Sequence, residues 1–215
     1  MRFTPAPLED PFQADSPRSL VARFSEGGDR RPLFLFITGR DPKSAKVVKY
    51  IEKTTFKDER VCLGAKFFRL TQVEAGEIPK SHPLYKIVGG RRLPRVVLLS
   101  MDGKTYKKLE GRISAGRLFG AMRSIVRKDF KRSLGSFATK MRKLLNQLDK
   151  LEGEKRRLEN QVAASATKKG RKSPKAKMLA KKEALVEAKT KALAEKMKEL
   201  LAWTVPPQEK TAKND

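Results

Sequence analysis

Side chains able to do covalent or metal chemistry are scarce in this chain. Cys62 is the one cysteine and His82 the one histidine among 215 residues. A single thiol rules out an internal disulfide and a multi-cysteine zinc site. One imidazole leaves nothing from which to build a His-based metal centre or a Ser–His–Asp triad. Dithiol–disulfide exchange needs two sulfurs. Cys62 sits in the run Arg60–Gly64, where its reading is a packed, inert thiol, because free cysteine is among the most buried residue types. A redox protein acting through Cys62 alone is the alternative. His82 precedes Pro83 and reads as a loop or cap residue. No metal site and no cofactor are expected.

The chemistry the chain does offer is positive charge. Fifty Lys and Arg stand against 24 Asp and Glu, a formal net charge of +26. Such an excess points to a polyanion or an acidic protein surface as neighbour. Residues 1–130 carry 27 basic and 14 acidic side chains and residues 131–215 carry 23 and 10, so each part bears an excess of 13. Lys168, Lys169, Arg171, Lys172, Lys175 and Lys177 crowd into ten residues without an acid. That basic tip suits phosphate backbones through counterion release. No sequence-reading signature accompanies it, so binding to nucleic acid would be directed to the backbone.

These charges are carried by two compositionally different parts. Nine of the twelve prolines and ten of the eleven phenylalanines precede residue 131; beyond it the chain is Lys-, Leu-, Ala- and Glu-rich, the mix of long helices. Residues 1–14 read as an extended arm. Asp15-Ser16-Pro17 opens a short helix to about Phe24. Leu33–Thr38 is an apolar run of strand length, expected of a strand covered on both faces. Asp41-Pro42 starts a helix with an acid at the N-cap and Pro at N1. Its core stripe is Val47, Val48, Tyr50, Ile51 and Phe56. Strands are expected at Lys66–Thr71, Arg95–Ser100 and about Thr105–Leu109, the last two joined by the hairpin signal Asp102-Gly103. Pro83–Val88 makes a helical turn or two. Ser114 caps a helix whose inner face is Leu118, Phe119, Met122, Ile125 and Val126.

That order of elements, with Phe34–Gly39 before a helix, Leu93-Pro94-Arg95 before a strand, and the Asp102-Gly103 hairpin into Leu109–Gly111, resembles the thioredoxin-like family over residues 15–130. The resemblance implies a small α/β sheet domain with a cis-proline at Pro94. The family's Cys-x-x-Cys corresponds here to Asp41, Pro42, Lys43 and Ser44, a degenerate motif without sulfur. Asp41 can use the free N–H groups of the helix start, but it cannot attack a disulfide. The resemblance also sets Arg91, Arg92 and Arg95 near Arg40 and Lys43, making a basic patch where a redox relative holds its substrate.

Residues 131–203 form an all-α extension. Leu134, Phe137, Met141, Leu144, Leu148, Leu151, Lys155, Leu158 and Val162 alternate spacings of three and four, the seam of a coiled coil broken only at Lys155. Gly170 and Pro174 interrupt the pattern within the tip, residues 163–177. A weaker seam follows at Leu179, Val186, Leu193, Met197 and Leu200, diluted by Glu183 and Thr190. A two-helix coiled-coil hairpin is the simplest reading; pairing between chains, giving a homo-oligomer, is the other. Residues 204–215 read as a tail. Trp203 packs at the end of the last helix or anchors a partner.

Two partner classes follow from these features. The preferred function is a non-enzymatic adaptor or scaffold that docks acidic or helical proteins in a larger assembly. The alternative is a nucleic-acid- or ribosome-associated protein. No run of 18 apolar residues provides a membrane span, and the N-terminus lacks a leader-like apolar core, so a reduced cytoplasmic compartment is expected.

Overall fold

The computed structural model describes residues 4–5, 16–23, 29–75, 80–90, 92–166 and 174–206. Two compact units emerge: Met1–Ala138 together with Trp203–Asp215, and Thr139–Ala202. The first is an α/β domain and the second is helical.

In the α/β unit the elements run β1 (Thr4–Pro5), α1 (Pro17–Arg23), β2 (Leu33–Thr38), α2 (Pro42–Lys53), α3 (Glu59–Ala65), β3 (Arg69–Glu74), α4 (Tyr85–Val88), β4 (Arg95–Leu99), β5 (Tyr106–Glu110) and α5 (Ala115–Phe130). The sheet order is β1-β3-β2-β4-β5. The first three strands are parallel, β4 runs antiparallel to β2 and β5 antiparallel to β4, with Phe34 opposite Leu70 on one side and Leu98 on the other. As its apolar run requires, β2 is buried from Leu33 to Ile37. Alternation sends its side chains to two faces. Leu33, Leu35 and Ile37 join Leu20, Leu84 and Val88 in one apolar cluster, beneath α1 and α4. Phe34 and Phe36 meet Phe56 edge-on at 6.0 and 5.0 Å, and Phe34 meets Phe68 at 6.3 Å.

Phe56 lies on a separate 3-10 turn, Thr55–Lys57, and not on α2 as its spacing suggests. The chain then makes α3, a helix absent from the sequence reading. Asp58 caps it, accepting from the N–H groups of Arg60 and Val61. Because α3 and its closing turn occupy residues up to 68, the next strand begins at Arg69, three residues later than the apolar run Lys66–Thr71 implies. Phe67 and Phe68, which look like strand residues, instead fill the core behind the turn.

The β4–β5 hairpin is held by polar contacts. The Ser100 hydroxyl donates to Asp102 Oδ1 at 2.6 Å and the Thr105 N–H donates back to Ser100 Oγ at 2.9 Å. Lys128 of α5 reaches across to Asp102 at 3.1 Å and Thr105 Oγ1 at 2.6 Å. Partial burial acts against the Asp102 carboxylate. The Ser100 hydroxyl, the Lys104 N–H and Lys128 outweigh it and bring the carboxyl down to about 2. Gly103, at φ +68°, also lies against the backbone of Pro17 and Arg18, where a Cβ would stand 2.8 Å from Arg18 N; both features require glycine.

Two long helices follow, α6 (Leu134–Ala166) and α7 (Pro174–Leu201). The first turn of α6 belongs to the α/β unit. Leu134 packs near Gly64, Phe137 meets the Phe67 ring edge-on at 4.8 Å, and Phe67 meets Phe130 at 5.1 Å. Trp203 closes on Phe137 at 6.5 Å. Leu134 and Phe137, read as the head of the heptad seam, are thus core residues of the domain. Within the helical unit, Leu158 of α6 clusters with Leu179 and Val186 of α7, and Leu151 packs against them. Met141, Leu193 and Leu200 are buried, Leu144 and Leu148 half-buried, and Val162 is exposed.

Candidate functional site

The β2–α2 turn holds the sequence-predicted site. Asp41 has the extended backbone of an N-cap and its Oδ1 accepts the Ser44 N–H at 2.7 Å; Pro42 follows at N1. The carboxylate is therefore engaged by the helix start. Lys43 is exposed, whereas Ser44 is 3% exposed and its hydroxyl has no hydrogen-bond partner among the described residues. The Leu93–Pro94 peptide is cis. Leu93 lies so close to the turn that a Cβ on Gly39 would stand 2.5 Å from its Cδ1. The Pro94 carbonyl accepts the Gly111 N–H at 2.9 Å, anchoring that loop to the end of β5. Asp41, Ser44 and the Leu93–Pro94 loop are thus drawn to one end of the sheet. The groups brought together are a capping carboxylate and a buried hydroxyl, and among the described residues neither is hydrogen-bonded to a side-chain base.

Of the cations expected around this turn, Arg40 is paired and Arg95 is buried. Arg40 makes a two-pronged pair with Glu74, Nε to Oε1 at 2.8 Å and Nη2 to Oε2 at 3.0 Å. Hydrogen bonding to Arg40 holds the Glu74 carboxyl below its usual value. Arg95 is 5% exposed, with Nε and Nη1 lacking acceptors among the described residues. Burial pushes its guanidinium below the ordinary range, against the pull of Glu110 and Tyr85. Arg92 and Lys43 remain exposed, and Arg91 lies outside the described residues. The sequence held a warning about Arg95: it opens a run that reads as a strand buried on both faces.

Of the basic tip, Lys168, Lys169, Arg171 and Lys172 lie outside the described residues, Lys175 falls in the first turn of α7, and Lys177 is exposed. Cys62 is half-buried, and its thiol donates to the Phe56 carbonyl at 3.0 Å. His82 accepts the Leu84 N–H on Nδ1 at 3.1 Å, a cap for the turn that follows.

Sequence reasoning passed over another basic group, at the α5–α6 junction. Arg123 and Arg127 stand four residues apart on one face of α5, Lys131 caps the end of that helix, and Arg132 follows. With Ser124 and Ser133 they line a cleft of about 660 Å³. The signal was visible as a face of α5 opposite Leu118, Met122, Ile125 and Val126 that carries cations and no acid.

Among the described residues no group of three or more His, Cys, Asp or Glu is placed to hold a metal ion, and no helix is long and apolar enough to cross a membrane. No protein-family model matches the chain, and no curated protein matches it in sequence.

Proposed function

We propose that this chain is a non-enzymatic adaptor: a thioredoxin-like head without redox chemistry, joined to a two-helix coiled coil that docks acidic or helical protein partners in a larger cytoplasmic assembly. The observation that carries the reading is the β2–α2 turn. Asp41 and Ser44 occupy the helix start, opposite the Leu93–Pro94 loop, with their polar groups committed to capping and burial. The strand order β1-β3-β2-β4-β5, with its last two strands antiparallel, supports the kinship of the head. The apolar cluster of Leu151, Leu158, Leu179 and Val186 supports the coiled coil. The spacing of its members suits an antiparallel arrangement, since the seven residues from Leu151 to Leu158 match the seven from Leu179 to Val186.

The test is affinity isolation of the full chain and its Leu158→Asp variant from the source cell, with and without nuclease, alongside a disulfide-reduction assay. Partners that survive nuclease and are lost with Leu158→Asp support the adaptor. Turnover of a disulfide substrate, or partners that vanish with nuclease, overturns it. The second outcome would favour association with nucleic-acid backbones, a reading that draws on the net charge of +26.

A further inference from the structure

The cleft at the α5–α6 junction combines features that a solvated charged surface does not need. Arg127 and Lys131 lie at the carbonyl end of α5, where cations are favoured by the helix dipole, and Lys131 also feels the Asp129 carboxylate. Arg132 stacks on Trp203, its guanidinium carbon 4.9 Å from the ring centre. Arg123 has no such explanation. It lies in the middle of α5, yet its Nε stands 4.0 Å from where a Cβ of Gly135 would be, beside the first turn of α6.

That turn is the positive end of a 33-residue helix and contains no acidic residue. Ser133 caps it, its hydroxyl accepting the Ser136 N–H at 3.2 Å and its carbonyl the Phe137 N–H at 3.0 Å. The N–H groups of Leu134 and Gly135 have no acceptor among the described residues. A guanidinium is therefore held against a helix terminus of its own sign, within a cleft whose lining includes three further cations and no carboxylate. Arg123 and Arg127, four residues apart on one helix, also repel one another. Every one of these unfavourable juxtapositions reverses sign when an anion sits between them.

We infer that the cleft is a binding site for a ligand with two or more phosphate groups, seated between Arg123, Arg127, Arg132 and the amide end of α6. Four cations over-match a single carboxylate. Guanidinium forks and hydroxyls suit the several equatorial oxygens of phosphate. The cleft's volume falls in the range of small-ligand sites, about 300–1,000 Å³. The shared chemistry is a run of phosphates, from a diphosphate-type small molecule or from successive diesters of a nucleic-acid strand. The inference does not depend on the adaptor reading, since it uses neither the β2–α2 turn nor the heptad seam.

Gly135 provides the sharpest test. A side chain there meets nothing closer than Ser133 Oγ at 3.8 Å, and an acid in the first turn of a helix is favourable. Gly135→Asp should fold as well as the parent while placing a carboxylate where the phosphate sits. Full-length parent, Gly135→Asp, Gly135→Asn and the double variant Arg123→Gln/Arg127→Gln would be titrated with inorganic pyrophosphate by calorimetry. The same proteins would be titrated with a labelled 12-nucleotide oligouridylate by fluorescence anisotropy at several salt concentrations. Circular dichroism would verify folding.

Affinity is expected to fall tenfold or more in Gly135→Asp and in the double variant, and by far less in Gly135→Asn. For the oligonucleotide, the double variant should also flatten the slope of log K against log salt by about 1.4. Losses with pyrophosphate alone support the site and assign it to a small phosphate ligand; losses with the oligonucleotide alone support it and assign it to a strand. Three results overturn it: neither probe binds the parent, both charge variants bind like the parent, or Gly135→Asn loses as much as Gly135→Asp.

Discussion

Replacing Phe137 with Ala should unsettle the α/β domain more than the helices from which the residue was read. Phe137 is fully buried and its ring stands edge-on to Phe67, which stands edge-on to Phe130. Removing a buried phenyl from a packed core costs about 3–5 kcal/mol. Each edge-to-face pair adds about 0.5–1.5 kcal/mol to what burial alone contributes. Two rings, Phe67 and Trp203, lose their neighbour at once, so the upper half of the range applies: about 4 kcal/mol. For a domain of this size that lowers the midpoint by on the order of 10 °C. Thermal and urea unfolding followed by near-ultraviolet circular dichroism would read the loss in the aromatic environment of the domain. Phe137→Leu, which keeps most of the volume, should lose less than half as much. If Phe137→Ala costs under about 1 kcal/mol, or if a fragment ending at residue 131 unfolds at the same midpoint as the full chain, the first turn of α6 is not part of the domain's core.

Three further outcomes are expected. Leu158, 6% exposed, contributes about 1.5–3 kcal/mol by burial, and Leu158→Asp adds an unpaired charge to its cluster, so this variant should lose much of its 222 nm helical signal while keeping the aromatic signal of the domain; an unchanged helical signal would contradict the packing of α6 on α7. The depressed Asp102 carboxyl stabilises the fold above its ordinary value of 3.8, and that contribution drains away as pH falls toward about 2; with the side chain 44% exposed it amounts to on the order of 1 kcal/mol, so urea midpoints measured from pH 5 to pH 2 should fall more steeply in the parent than in Asp102→Asn, and parallel curves would refute the assignment. Cys62→Ser should leave disulfide-reduction assays at background, as in the parent, because the thiol is spent on the Phe56 carbonyl; a cysteine-dependent rate would show that it is reactive.

Much of the architecture was legible because hydrophobic runs and caps are local signals. Leu33–Thr38, Asp41-Pro42, Ser114 and Asp102-Gly103 each lead to the element their chemistry requires. What misleads is apolar sequence serving two masters. Phe67 and Phe68 look like strand residues, but α3, started by the Asp58 cap, occupies the chain until they fall in a turn. Phe137 keeps perfect heptad spacing and yet is claimed by Phe67, a partner seventy residues away that no periodicity reveals. The candidate site divides in the same way. Asp41 and Ser44 were legible because capping is a four-residue matter. Charge was not, since the sign of a side chain says nothing of its partner: Arg40 is neutralised by Glu74, Arg95 is interior, and four cations that share a cleft lie on α5 and just beyond its end.

Phe137 and Trp203, 66 positions apart in sequence, have ring centres separated by 6.5 Å. The chain between them leaves the domain and comes back to almost the same point, so one aromatic contact ties both ends of that excursion. If α6 and α7 pair through their heptads as proposed, seven residues added to each would extend the pair by about 10.5 Å and return each seam residue to a partner of the same kind. Loss of seven from one helix alone would instead leave seven residues of the other without a partner. Descendants of this sequence should therefore vary in the reach of their helices by matched sevens, while the two aromatic residues at the base stay a ring's width apart.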